Sequence, residues 1–160
     1  MEYRININHD FIAGSLDEAV SLAKVFVKEN LKVTEMKDRV PSPGFIATKC
    51  NGFRRSKKEY FFSFLLDTQN RIIEKHGISV GTLNASLIHP RECFRRAIVR
   101  RAAGIIFVHN HPSGSLEPSV EDLGVAKRLA EVGKLVGIEV MDNLIVTAQG
   151  YKSFREQNLI

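Results

Sequence analysis

Apolar and polar positions along this chain follow two periods, and the changes of period mark its elements. Ser15-Leu16-Asp17-Glu18 has the form of a capping box, and Ala19, Val20, Ala23, Phe26 and Val27 follow at helical spacing. They predict an amphipathic helix over residues 16–30. The breaker cluster Arg39-Val40-Pro41-Ser42-Pro43-Gly44 predicts a loop. The expected organisation is therefore a helical N-terminal extension, residues 1–40, packed on a core of residues 41–160.

Within that core, Glu59 to Asp67 is aromatic and apolar without a breaker and reads as a buried strand. Thr68-Gln69-Asn70 predicts a hairpin turn, residues 71–79 a second strand and 82–88 a third. Pro90 stands where a first-turn proline starts a helix, with Phe94, Ala97, Ile98 and Ala102 expected on its apolar face. Gly104 to Val108 is apolar on both faces, as in a central strand. A helix is predicted from Ser119 to about Val136, with Gly137 as its C-terminal cap. Two short strands follow, 138–141 and 143–147, and residues 153–157 close the chain in a helical turn. Strands and helices intermix with at least one hairpin, which predicts a mixed sheet flanked by helices.

Composition narrows the class rather than the function. The 160 residues are 44% hydrophobic and 26% charged, as in an ordinary globular protein. No apolar run is long enough for a membrane span and the N-terminus lacks an apolar signal core, so a cytoplasmic protein is expected. Cys50 and Cys93 stand far apart with no Cys-x-x-Cys pair, against a disulfide scaffold or a zinc finger. The net charge of +5 permits contact with polyanions without demanding it.

The chemistry lies in His109-Asn110-His111-Pro112-Ser113-Gly114, followed by Pro118-Ser119-Val120-Glu121-Asp122. Histidines at i and i+2 on an extended segment point the same way, so their imidazoles can hold one metal ion. Asp122, beyond a Gly/Pro loop, can return as an oxygen ligand. Two nitrogens and one oxygen leave the fourth tetrahedral position open, as at a catalytic zinc.

The spacing His-x-His, seven residues, Ser, two residues, Asp matches the signature of the JAMM (MPN-plus) metalloproteases. The words around it, His89-Pro90-Arg91-Glu92, Ile138-Glu139-Val140-Met141-Asp142 and Tyr151-Lys152-Ser153-Phe154, resemble the bacterial RadC family over residues 41–160. The chain looks like the stand-alone form of that domain, without the N-terminal helix-hairpin-helix region. The resemblance implies an α/β fold of the MPN/JAMM (cytidine deaminase-like) type, a curved mixed β-sheet flanked by helices. It implies one Zn²⁺ per chain on His109, His111 and Asp122, and hydrolysis of an amide or isopeptide bond. A metal of this kind lowers the pKa of its bound water toward about 7. Glu59 matches the family's general base, and Ser119 its donor to the oxyanion. One departure stands out: Asp142-Asn143 replaces the family's usual Asp-His.

Each assignment has a plainer reading beside it. Ser119 and Asp122 also form a Ser-x-x-Asp cap, and both roles can coexist at one helix start. Glu59 also fits a charged residue closing a basic run. His89 precedes a proline and belongs near an N-cap, while His9 and His76 read as surface residues. Two basic groups remain, Lys49, Arg54, Arg55, Lys57 and Lys58, and Arg91, Arg95, Arg96, Arg100 and Arg101. They read as solvated faces or as a phosphate-tracking surface. The alternatives to a peptidase are therefore a nucleic-acid-binding protein of DNA repair or of a mobile element, and a metal-dependent nuclease.

Overall fold

The computed structural model describes residues 3–6, 10–13, 38–81 and 88–160. The chain divides into two compact units, Met1–Thr34 and Glu35–Ile160. In the first, strands β1 (Tyr3–Asn6) and β2 (Asp10–Ala13) pair antiparallel, Tyr3 opposite Ala13. Neither strand is among the elements expected above; the alternation of Tyr3 and Ile5 with Arg4 and Asn6 is the signal for one. The helix predicted over 16–30 lies outside the described residues.

The second unit is built on five strands: β3 (Glu59–Leu66), β4 (Ile72–Gly81), β5 (Gly104–Asn110), β6 (Glu139–Val146) and β7 (Tyr151–Ser153). Their order across the sheet is β4-β3-β5-β6-β7. Strands β5 and β6 run parallel, and the other neighbours antiparallel. Helices α1 (Pro43–Thr48), α2 (Pro90–Val99) and α3 (Val120–Val136) complete the unit. This is the mixed, helix-flanked sheet the sequence predicts. Among the described residues, no helix is long and apolar enough to cross a membrane.

Alternation along the strands divides the core into two layers. Phe61 and Leu65 of β3, with Ile105 and Phe107 of β5, pack against Cys93, Phe94 and Ala97 of α2 and Val125 and Leu129 of α3. Phe62, Phe64, Ile106 and Val108 face the other way, onto Ile46 and Ala47 of α1. Every residue of β5 is buried, which explains its unbroken apolar run.

The element ends follow local chemistry. Asp67 Oδ1 accepts from the amides of Gln69 and Arg71, closing the β3–β4 turn, where Asn70 takes a left-handed φ of 58°. Pro90 opens α2 in its first turn, and Gly137 ends α3 at φ 72°. Three expectations need correction. Ile98 is exposed, because Cys93, Phe94 and Ala97 define the buried arc and Ile98 lies about 90° from its centre. Ala102 lies beyond the end of α2. The two strands predicted over 138–147 are one, β6, in which Asp142 is buried beside Asn143 rather than marking a break. The third strand expected at 82–88 falls almost wholly outside the described residues.

The fold brings the C-terminal end of β5 against the N-terminus of α3. In sheets with parallel strands, sites form outside the carboxyl ends of those strands.

Candidate metal centre

His109 is the penultimate residue of β5 and His111 lies just past its end. Both rings come to one side, with centroids 4.9 Å apart. The turn from His111 to Gly114 reverses the chain, and Gly114 takes it at φ 82°. The loop then runs to Ser119, where α3 starts. Ser119 Oγ accepts from the Asp122 amide at 3.0 Å, and Asp122 Oδ2 accepts from the Ser119 amide at 2.7 Å. This capping box fixes the Asp122 carboxylate under the two imidazoles.

The resulting geometry is close. His109 Nε2 and His111 Nε2 are 3.1 Å apart, and each is 3.3 Å from a carboxylate oxygen of Asp122. A tetrahedral shell with bonds of about 2.0–2.1 Å has ligand–ligand edges of about 3.3 Å. The two nitrogens stand near that spacing, and each meets a different oxygen of the Asp122 carboxylate, His109 at Oδ1 and His111 at Oδ2. Glu59, at the start of β3, joins them: one donor atom from each of Glu59, His109, His111 and Asp122 lies within 4.8 Å of the others.

Orientation supports the same reading. His111 Nδ1 is 2.9 Å from the Ser115 carbonyl, which can only accept, so Nδ1 carries the proton and Nε2 turns toward the trio. Burial alone raises the Asp122 carboxyl's pKa; hydrogen bonds from His109, His111 and Ser119 outweigh it and hold the group well below the ordinary range. The hydrogen bond to Asp122 raises the His111 pKa against the opposing effect of burial. His109 and Asp122 are almost fully buried, while His111, Glu59, Ser115 and Ser119 line an open cleft of about 360 Å³. The centre thus has an enclosed floor and an accessible mouth.

Ser119 is brought to that mouth, but its one hydroxyl proton goes to Asp122 Oδ2 at 2.7 Å. Beneath the centre, His109 Nδ1, Ser63 Oγ and Asn143 Oδ1 are buried without a hydrogen-bond partner among the described residues. They share a face: Ser63, Phe107 and Asn143 form one cross-strand row, and Phe61, His109 and Ile145 the next.

The remaining histidines are placed elsewhere. His89 caps α2, accepting the Arg91 amide at 3.3 Å, as its position before proline implies. His76 is half-buried on β4 rather than on the surface, and burial lowers its pKa. His9 lies outside the described residues. Sequence reasoning missed Asn110, whose carboxamide accepts from the Tyr60 amide and donates to the Lys58 carbonyl. The available signal was a polar residue on a fully buried strand, facing away from both histidines.

The basic groups are partly spent on the fold. Arg96 binds Glu74 through two nitrogens at 2.7 and 3.0 Å, and Arg100 stands 2.7 Å from the same carboxylate. Lys49 pairs with Asp38, and Arg54 donates to the Thr147 carbonyl. Arg55, Lys57, Lys58, Arg91, Arg95 and Arg101 stay exposed.

Comparison with known proteins agrees with the geometry. The family model for the RadC-like JAB domain matches residues 43–159. A UPF0758 protein of Finegoldia magna is 53% identical over 107 residues, 67% of this chain and 48% of the relative. Those of Syntrophotalea carbinolica and Methanosarcina mazei are 39% and 41% identical, over 92% and 80% of this chain. They are covered over 64% and 56% of their own lengths, so the chain spans about half the length of the relatives it matches. The mixed sheet, the JAMM-like donor cluster at its strand end and the match over most of the chain converge: the chain belongs to the RadC-like JAB domain family.

Proposed function

We propose that this domain is a zinc-dependent hydrolase of amide or isopeptide bonds. The observation that carries the reading is the pair of imidazole Nε2 atoms 3.1 Å apart, each 3.3 Å from an oxygen of the Asp122 carboxylate, beside an open cleft. These three residues would hold Zn²⁺, whose chemistry there is Lewis acidity and a bound water made acidic enough to ionise near neutral pH.

The chain's own residues supply the rest. Asp122 is a carboxylate at neutral pH and His111 presents its Nε2, so the ligands are charged and oriented by the fold. Glu59 reaches the same cluster from β3 and is the group suited to take a proton from the nucleophile and return it to the leaving amine. Ser119 is suited to donate to the oxyanion of a tetrahedral intermediate. To do so its hydroxyl must turn from Asp122 Oδ2, which keeps the bond from the Ser119 amide. The cleft is open and lined mainly by polar and charged side chains, which suits an extended chain better than an apolar small molecule.

The test combines metal analysis with turnover. Wild type should carry about one zinc per chain, and His111→Ala should lose it, since three protein ligands are the minimum for such a site. The probe is a quenched peptide library containing both main-chain amides and lysine ε-isopeptides. Glu59→Gln should keep zinc and lose about 10²–10⁴-fold in rate. Equal zinc in wild type and His111→Ala would sink the proposal. Cleavage of oligonucleotides but not of the peptide library would replace the amide by a phosphodiester.

A further inference from the structure

Asn110 separates the two histidines of the centre, and its side chain goes the other way. It is fully buried, on the sheet face of Ile106 and Val108. Its Oδ1 accepts the Tyr60 amide at 2.8 Å, and its Nδ2 donates to the Lys58 carbonyl at 3.0 Å. Those two backbone groups flank Glu59. The side chain spans fifty residues of sequence to hold the peptide units on either side of the one acid brought to the centre from β3.

The arrangement has a topological cause. The β3–β5 ladder runs as far as Phe61 opposite His109. One residue later the β5 backbone parts from β3, while Asn110 still pairs with Val146 of β6, and His111 then turns back toward Asp122. The next rung is therefore made by a side chain. A carboxamide carries the same donor and acceptor as a peptide unit, so asparagine can stand in for the departing strand. On its other edge, β3 at Glu59 pairs with Gly81, the last residue of β4.

We infer that Asn110 is a positioning residue: its carboxamide sets where the Glu59 carboxylate stands relative to His109, His111 and Asp122. The placement rests on these hydrogen bonds; its consequence for turnover rests on the reading of Glu59 as the base. The Asn110 side chain lies on the sheet face opposite the two histidines, so its loss should spare the metal. A displaced base should lower kcat by about 10²-fold with KM unmoved, the usual cost of about 1 Å of misplacement at a reacting centre.

The deciding measurement needs no substrate. Protein labelled with ¹³C-carboxyl glutamate is loaded with Co²⁺ as a paramagnetic probe. The Glu59 resonance is identified by its absence in Glu59→Gln. In wild type it should be strongly broadened and shifted by the nearby ion. In Asn110→Ala that effect should shrink severalfold, while cobalt stays at one per chain. Asn110→Asp is the second variant, in case alanine fails to fold. It keeps the acceptor for Tyr60 but sets an oxygen against the Lys58 carbonyl, and should shrink the effect likewise. An unchanged Glu59 resonance in either folded variant overturns the inference. So does loss of cobalt from both, which would make Asn110 a support for the ligands instead. Wild-type turnover by Glu59→Gln on the peptide library would refute the base, while the spectra would still decide whether Asn110 positions Glu59.

Discussion

Two glycines on one helix should respond to the same substitution with opposite signs. Gly124 and Gly133 both lie inside α3, where alanine is preferred over glycine by about 1 kcal/mol. Among the described residues a methyl on Gly124 meets nothing within 4 Å, so Gly124→Ala should realise that gain of about 1 kcal/mol. A methyl on Gly133 would stand 2.7 Å from the Ile138 carbonyl oxygen, 3.0 Å from Val140 Cγ2 and 3.5 Å from the Phe94 ring. The first of these is backbone, and it cannot easily withdraw. The Ile138 amide donates to the Gly133 carbonyl at 3.0 Å, tying the end of α3 to the start of β6. Overpacking costs about 1–3 kcal/mol and a weakened hydrogen bond about 1 kcal/mol more. Against a propensity gain of about 1 kcal/mol, Gly133→Ala should lose about 1–3 kcal/mol net. Urea unfolding in the presence of a chelator, compared at equal slope, measures both variants without contribution from metal. A Gly133→Ala protein as stable as wild type would refute the packing argument, and a Gly124→Ala protein less stable than wild type would refute the propensity argument.

Other outcomes follow from single observations. Ser63 Oγ is buried without a partner among the described residues, so Ser63→Ala should be neutral or stabilising by up to about 1 kcal/mol; a destabilisation in thermal melts would reveal a partner. Cys50 and Cys93 are buried, and burial pushes both thiols up to about 12. Native protein should therefore resist a thiol reagent at pH 8, while guanidinium should expose both groups. Burial raises the Asp67 carboxyl's pKa, but its bonds from Arg71 and Gln69 outweigh that and lower it. Its contribution to stability should be full above the ordinary carboxylate pKa and vanish as pH falls through the lowered one, a pH trend that Asp67→Asn should flatten. If the exposed cations contact nucleic acid, reversal of Arg55, Lys57, Lys58, Arg95 and Arg101 to Glu should abolish a salt-sensitive affinity for labelled DNA and leave zinc in place. A tight, salt-resistant complex would favour the nucleic-acid alternative.

What was legible in the sequence was what neighbouring residues decide among themselves. Ser119 and Asp122 form the predicted cap, Pro90 opens its helix and Gly137 ends one, because each effect acts within a turn. The spacing of His109 and His111 on an extended segment foretold two rings on one side. Asp142-Asn143 was illegible for the opposite reason. Asp142 read as a break between two strands, yet it is buried because the Asn143 amide beside it, and Ser153 Oγ and the Arg155 amide from the closing segment, donate to its carboxylate. Ile98 misled because its spacing fits a helical face whose true centre is set by what packs against α2. No local pattern carries that information.

The same division runs through the candidate centre itself. His111, Ser115, Ser119 and Asp122 orient one another within a dozen residues, through a turn and a helix cap that form for their own reasons. An acid in the first turn of α3 is favoured by the helix dipole as well as by its hydrogen bonds, so its charge is in place before any metal arrives. Glu59 comes from a strand fifty residues away, and the register that delivers it depends on β3, β5 and the Asn110 carboxamide together. Metal affinity should therefore track the integrity of the loop and of the start of α3. Turnover should depend in addition on the sheet. Substitutions that loosen β3 without touching the loop are the ones expected to leave a protein that binds zinc and does little with it.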